Sequence, residues 1–146
     1  MATLHSDAFD FESSGGYRPT ANEDFMNPDQ LAYFRAKLLG WKDAIVRESR
    51  ETMAELANGP IQEADLTDRA SSETDWGIHL RTRDRQRKLI SKIDAALKRI
   101  ELGEYGFCEV TGEPISLARL EARPIATMTV EAQERHEKNE RISRDD

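Results

Sequence analysis

The chain has 146 residues, 34% of them charged, and a formal net charge of −7, which fits one small domain with an extended element better than a compact globule. The acidic balance argues against a duplex DNA binder, which needs a basic stripe to displace counterions. No apolar run approaches the ~20 residues needed to cross a bilayer, and the N-terminus lacks the basic region and apolar core of a signal peptide.

A cytoplasmic protein with no membrane partner is therefore expected. A single cysteine, Cys108, excludes an internal disulfide.

Residues 1–27 read as an N-terminal tail. Ser13-Ser14-Gly15-Gly16, Pro19 and a lack of sustained periodicity suit a mobile tail or a short docked segment. The first firm helix start is Asn27-Pro28-Asp29-Gln30. Asn is a good N-cap, Pro fits the first helical position, and Gln three residues after the cap can bond back to the backbone.

Apolar residues then recur at Leu31, Phe34, Leu38, Trp41 and Ile45, alternating three and four like a coiled-coil seam. Arg35, Lys37, Lys42 and Asp43 fill the other faces, and Asn58-Gly59-Pro60 is a strong stop. The spacing predicts a helix over 28–57. Trp41 belongs to the core at the hairpin base.

A second helix starts near Thr67 and meets no breaker before Gly103 except Gly77, which costs roughly 1 kcal/mol against Ala. Its seam is clearest at Ile90, Ile93, Leu97 and Ile100, with Leu80 and Trp76 continuing it toward the turn. Folding back near residue 62 sets Phe34 opposite Ile90. The economical reading is an antiparallel hairpin over 28–102 with a well-packed base, a more polar shaft and an acidic tip near 58–70.

Charge divides along this hairpin. Residues 48–75 hold eight acids and two bases, whereas residues 81–92 hold six bases and one acid. Arg81, Arg85, Lys88 and Lys92 share a helical face roughly opposite the isoleucine stripe. That face is either solvated surface, the usual fate of a charge run, or a docking stripe for an acidic or phosphorylated partner.

Residues 103–128 change character to a compact, turn-rich lobe. Cys108-x-x-Thr111, followed by Thr129-Val130-Glu131-Ala132, has the register of a zinc knuckle. A structural zinc needs thiolate or imidazole at all four corners, so a bound zinc is not expected. Nor do Cys108 and His136 together make such a site. Cys108 reads as a small buried hydrophobe with no recognisable cause for a lowered pKa. Packing by Phe107, Ile115, Leu117, Leu120, Ile125 and Met128 must hold the lobe instead. Residues 129–146 form the C-terminal segment, with a highly charged last helix from about Val130 to Arg141. His5, His79 and His136 accompany no nucleophile and carry no expected chemistry.

Asp65-x-x-Asp68-x-Ala70, the run from Leu80 to Ile90, Tyr105-Gly106-Phe107-Cys108 and Leu120-Glu121-Ala122-Arg123-Pro124 together resemble the DksA/TraR family, in order and spacing, over residues 28–140. The resemblance implies a mainly α fold: a long antiparallel coiled-coil hairpin, a small degenerate zinc-finger-like lobe and a C-terminal helix. It also implies a bacterial transcription regulator that binds RNA polymerase rather than DNA, entering the secondary channel as a monomer. Asp65, Asp68 and Ala70 would form the effector tip, and Arg85 would contact the channel rim. Leu89, Lys92 and Arg123 match positions that line a site for the alarmone ppGpp, shared with polymerase, where Lys and Arg suit phosphate.

Two departures stand out. The family's four zinc cysteines are Cys108, Thr111, Thr129 and Ala132, so three ligands are missing. Gln133 occupies a position where the family often has a Lys. One lost charge-assisted contact is worth about 1.5–3 kcal/mol, which weakens ppGpp binding unless a neighbour substitutes.

Two rival readings differ in kind. The tip acids could hold Mg²⁺ in the polymerase active site and promote transcript cleavage, as in Gre-type factors. Alternatively, the hairpin is a structural coiled-coil adaptor whose tip acids do nothing.

Overall fold

The computed structural model describes residues 16–57 and 66–145; of these, the side chains of 56, 66–72 and 145 are outside the description. Four helices form among the described residues: α1 (Pro28–Ala57), α2 (Leu66–Leu102), α3 (Leu117–Ala122) and α4 (Val130–Asp145).

The start of α1 follows from its cap. The Asn27 carboxamide oxygen accepts from the Gln30 N–H at 2.9 Å, and the Gln30 side-chain oxygen accepts from the Met26 N–H at 2.8 Å. The return bond therefore lands one residue before the cap. At the same end of the hairpin, Gly103 has φ +74 and ends α2, with the Glu104 N–H donating to the Arg99 carbonyl at 2.9 Å.

Helix α1 buries two stripes. Phe34, Leu38, Trp41 and Ile45 form one, facing the hairpin core. Gln30, Tyr33 and Lys37 form the second, facing the lobe side. Lys37 is thus not on an outer face as its charge suggests. Its ammonium donates to the Glu121 carboxylate at 2.7 Å and to the Glu121 carbonyl at 2.8 Å, while the Tyr33 hydroxyl donates to the same carboxylate at 3.0 Å. Burial and that bond push the Tyr33 phenol up to about 12.

The register differs from the one expected. Lys42 pairs with Asp94 at 2.6 Å, and Glu55 with His79 at 3.2 Å. Both cross-links set Ile45 near the level of Ile90 and Phe34 near Ile100, not Phe34 opposite Ile90. The Phe34 ring accordingly lies 5.6 Å from that of Tyr105, just past the end of α2. The α2 seam is also rotated: Ile93 and Ala96 are fully buried, Ile90, Leu97 and Ile100 pack around them, and Leu80 is 43% exposed. Trp76 is half-buried. The reason is geometric. A helix advances 100° per residue, so a seam extrapolated over six turns drifts off the true contact line.

Residues 16–27 dock rather than trail. Tyr17 bonds the Glu23 carboxylate, which also accepts from the Gln30 amide at 3.1 Å. Phe25 stacks edge-on to Phe107 with centroids 5.3 Å apart. Gly106, at φ +91, lies under this segment, where a Cβ would come within 3.0 Å of Met26. Only glycine meets both the backbone and the space requirement.

The lobe packs Tyr105, Ile115 and Leu120 into a core continuous with that of the hairpin base. Leu117 and Met128 sit at its margin, and Phe107 is 40% exposed despite its stack. Helix α3 is capped by Ser116, whose hydroxyl accepts from the Arg119 N–H. Helix α4 runs one turn past the expected Arg141.

Candidate functional site at the shaft–lobe junction

Where α2 passes the lobe, its helical face presents Lys92, Ala95 and Arg99 at spacings of three and four. Arg119 comes from the short helix α3, Arg123 from its C-cap, and Gln133 from the first turn of α4. These residues, with Ile125, Ala126 and Thr127, line a cavity of about 270 Å³. Among the described residues, four cations and no carboxylate border it. Such a cavity suits an anion with several oxygens, phosphate above all. Its volume is slightly below the usual range for small-molecule pockets, roughly 300–1,000 Å³.

The local fold fixes two of these cations. The Tyr105 hydroxyl donates to the Pro124 carbonyl at 2.7 Å, with both residues fully buried. Burial drives that phenol's pKa upward, so it stays protonated as a donor. The Arg123 N–H donates to the Arg119 carbonyl at 2.7 Å, and the Arg123 carbonyl accepts from Ala126 at 3.0 Å. Arg123 is therefore held through its backbone while its side chain stays exposed. Arg119 is held by its side chain, Nε donating to the Met128 carbonyl at 2.8 Å.

Of the residues expected to bind ppGpp, the structure brings Lys92 and Arg123 together at this cavity. Leu89 is half-buried against the core and does not line it. Arg99 and Arg119 also line it and were not singled out from the sequence. Their charge was visible there, but their convergence depends on how α3 folds back. Gln133 reaches the cavity with its amide donating to Glu137 at 3.1 Å. Arg85 is exposed farther along α2, where its guanidinium reaches the Thr82 hydroxyl at 3.5 Å. The whole stripe of Arg81, Arg85, Lys88 and Lys92 is solvent-facing.

At the other end of the hairpin, Asp65 lies outside the described residues. Asp68 and Ala70 fall in the first two turns of α2, with side chains outside the description. By the register above, Ala57, the last described residue of α1, is level with about residue 78.

The degenerate zinc positions come together without a metal's donor set. The Thr111 hydroxyl accepts from the Glu113 N–H at 3.2 Å, and the Thr129 hydroxyl accepts from the Ala132 N–H at 3.2 Å as the cap of α4. Ala132 is buried and offers no ligand atom. One thiol, two hydroxyls already used in turns and a methyl do not fit a structural zinc. Among the described residues, no group of three or more His, Cys, Asp or Glu side chains is placed to hold a metal ion.

Cys108 is buried, as expected of a small hydrophobe, yet its acidity is altered. Burial pushes the thiol up. Hydrogen bonds from the Thr111 hydroxyl and the backbone N–H groups of Thr129, Thr111 and Val110 outweigh this and hold it at about 6. The expectation of an unperturbed thiol is therefore corrected: the knuckle turns still aim their N–H groups at the sulfur.

A helical hairpin closed by a zinc-finger-type lobe defines a class of bacterial regulators, and comparison with known proteins agrees. Residues 30–100 match the profile of the DnaK suppressor protein DksA, N-terminal domain, and residues 103–138 match the prokaryotic dksA/traR C4-type zinc finger. The chain belongs to the DksA/TraR family. It is 68% identical over 130 residues to the RNA polymerase-binding transcription factor DksA of Caulobacter vibrioides, covering 89% of this chain and 92% of that protein. It is 38% identical over 115 residues to the protein of the same name from Escherichia coli K12, covering 79% and 76%. The structure of transcription factor DksA2 from Pseudomonas aeruginosa superimposes with a TM-score of 0.75 at 41% identity, over 83% of this chain and 95% of that one.

Proposed function

We propose that this chain is a transcription regulator that binds RNA polymerase, acts by contact rather than by chemistry of its own, and takes ppGpp as a regulatory ligand between itself and polymerase. The observation that carries the reading is the family match across both hairpin and lobe, joined to relatives named for polymerase binding. In this reading residues 28–102 form the inserting hairpin, 103–128 the lobe and 129–146 the C-terminal helix. The protein works in the cytoplasm as a monomer and does not read DNA directly.

The hairpin enters the secondary channel tip first. Asp65, Asp68 and Ala70 act at the tip, and Arg85 grips the channel rim. Acid at the leading end and bases farther back divide these tasks: the bases dock on an acidic surface while the acids reach the interior. Leu89 shapes the shaft beside the ligand, and Lys92 and Arg123 bind phosphate oxygens. The small cavity supports a shared site, because its volume lies below the usual range for a whole small-molecule ligand.

Competition of the unlabelled chain against a labelled copy on core polymerase tests the reading. Saturable binding that Arg85→Ala weakens about tenfold is expected, in line with the loss of a charge-assisted contact. No displacement of the labelled copy would overturn it.

A further inference from the structure

One guanidinium nitrogen of Arg99 has no answering group among the described residues. The side chain forms part of the cavity wall, yet its Nη2 is sealed from solvent and makes no hydrogen bond there. The other charged residues on that wall are Lys92, Arg119 and Arg123, all of the same sign. The Tyr105 hydroxyl, close enough for Arg99 to act on its ionisation, is turned to the Pro124 carbonyl.

Holding one N–H group of a guanidinium away from water without an acceptor is unfavourable. Like charges around it raise the cost of the positive charge. An anion in the cavity offsets that charge through the part of Arg99 that lines the wall, and it feels Arg99 more strongly than a surface lysine because the dielectric there is lower. The uncharged Gln133 adds no competing cation from α4.

We propose that Arg99 is a further phosphate-binding residue of this cavity, a preorganised cation that engages the ligand from the shaft side while Arg123 engages it from the lobe. The inference rests on the reading of the cavity as the ppGpp site. It adds a residue that the family resemblance did not point to.

The test uses the full chain bound to core polymerase, with ppGpp affinity, polymerase affinity without ppGpp, and melting temperature measured side by side. Arg99→Gln weakens ppGpp about tenfold and leaves polymerase affinity and melting temperature near those of the parent. Arg99→Lys, which keeps the charge, loses less. Unchanged ppGpp affinity in Arg99→Gln, with Lys92→Ala and Arg123→Ala weakened, would overturn the role of Arg99 alone. No change in any of the three variants would overturn the cavity reading and Arg99 together. If Arg99→Gln and Arg99→Lys lose ppGpp affinity equally and both melt earlier, Arg99 is structural and the proposal fails.

Discussion

Glu121 accepts from Lys37 on its carboxylate and its carbonyl, and from Tyr33 on the carboxylate. It thereby ties α1 to the lobe through one side chain. Glu121→Gln leaves the buried Lys37 ammonium without its counter-charge, and denaturant unfolding should report a loss of about 1–3 kcal/mol. A variant as stable as the parent would show that the ammonium finds water instead. The tyrosines offer a second residue-scale check. All three have pKa values raised above the usual 10.0: Tyr17 to about 12 through its bond to Glu23, Tyr33 to about 12 by burial, and Tyr105 further still by burial. A raised folded pKa favours the protonated phenol. The stabilisation is therefore complete below pH 10 and is lost as pH rises through about 12. Spectrophotometric titration of the folded chain should show no phenolate forming near pH 10; a tyrosine ionising there would contradict these environments.

The shaft is the element where polar groups are least well placed. Gln86 is buried with neither Nε2 nor Oε1 bonded, and Thr52, also buried, returns its hydroxyl to its own helix at the Glu48 carbonyl. Gln86→Leu should stabilise the hairpin by about 1–2 kcal/mol, since it removes two desolvated polar atoms while keeping the bulk. Urea midpoints decide, and a lower midpoint would mean that the amide is satisfied by water. This polar layer also shows how far the sequence could be read. The helix start at 28 follows from Asn27-Pro28, which acts locally, whereas the expected stop at Asn58-Gly59-Pro60 lies outside the described residues. The register does not follow locally, because it depends on side chains of the opposite helix; Leu80 looked like seam and is exposed. In the same way Lys92 and Arg123 were legible through family resemblance, whereas Arg99 and Arg119 required α3, a helix of six residues with too little periodicity to announce itself.

At the scale of the molecule, a lobe built on a zinc-finger plan is held by packing and backbone bonds. The Phe107–Pro114 bridge, the Ile115 N–H on the Gly106 carbonyl at 2.7 Å and the Glu109 N–H on the Thr127 carbonyl at 2.8 Å close its turns. The melting temperature should therefore be the same with and without a strong chelator. A fall on chelation would show a metal contributing to the fold, since structural zinc is coupled to folding. The other whole-molecule question is what the acidic end of the hairpin does once the shaft is docked. If it acts by contact, a stalled elongation complex keeps its full-length RNA when the protein is added.

The most direct test of that claim is Asp68→Asn, with polymerase affinity and open-complex lifetime measured on the same preparation. The substitution removes one charge and almost no volume. The account predicts that affinity stays near that of the parent while the effect on open complexes is lost. Loss of both together, or of neither, would contradict a dedicated effector tip.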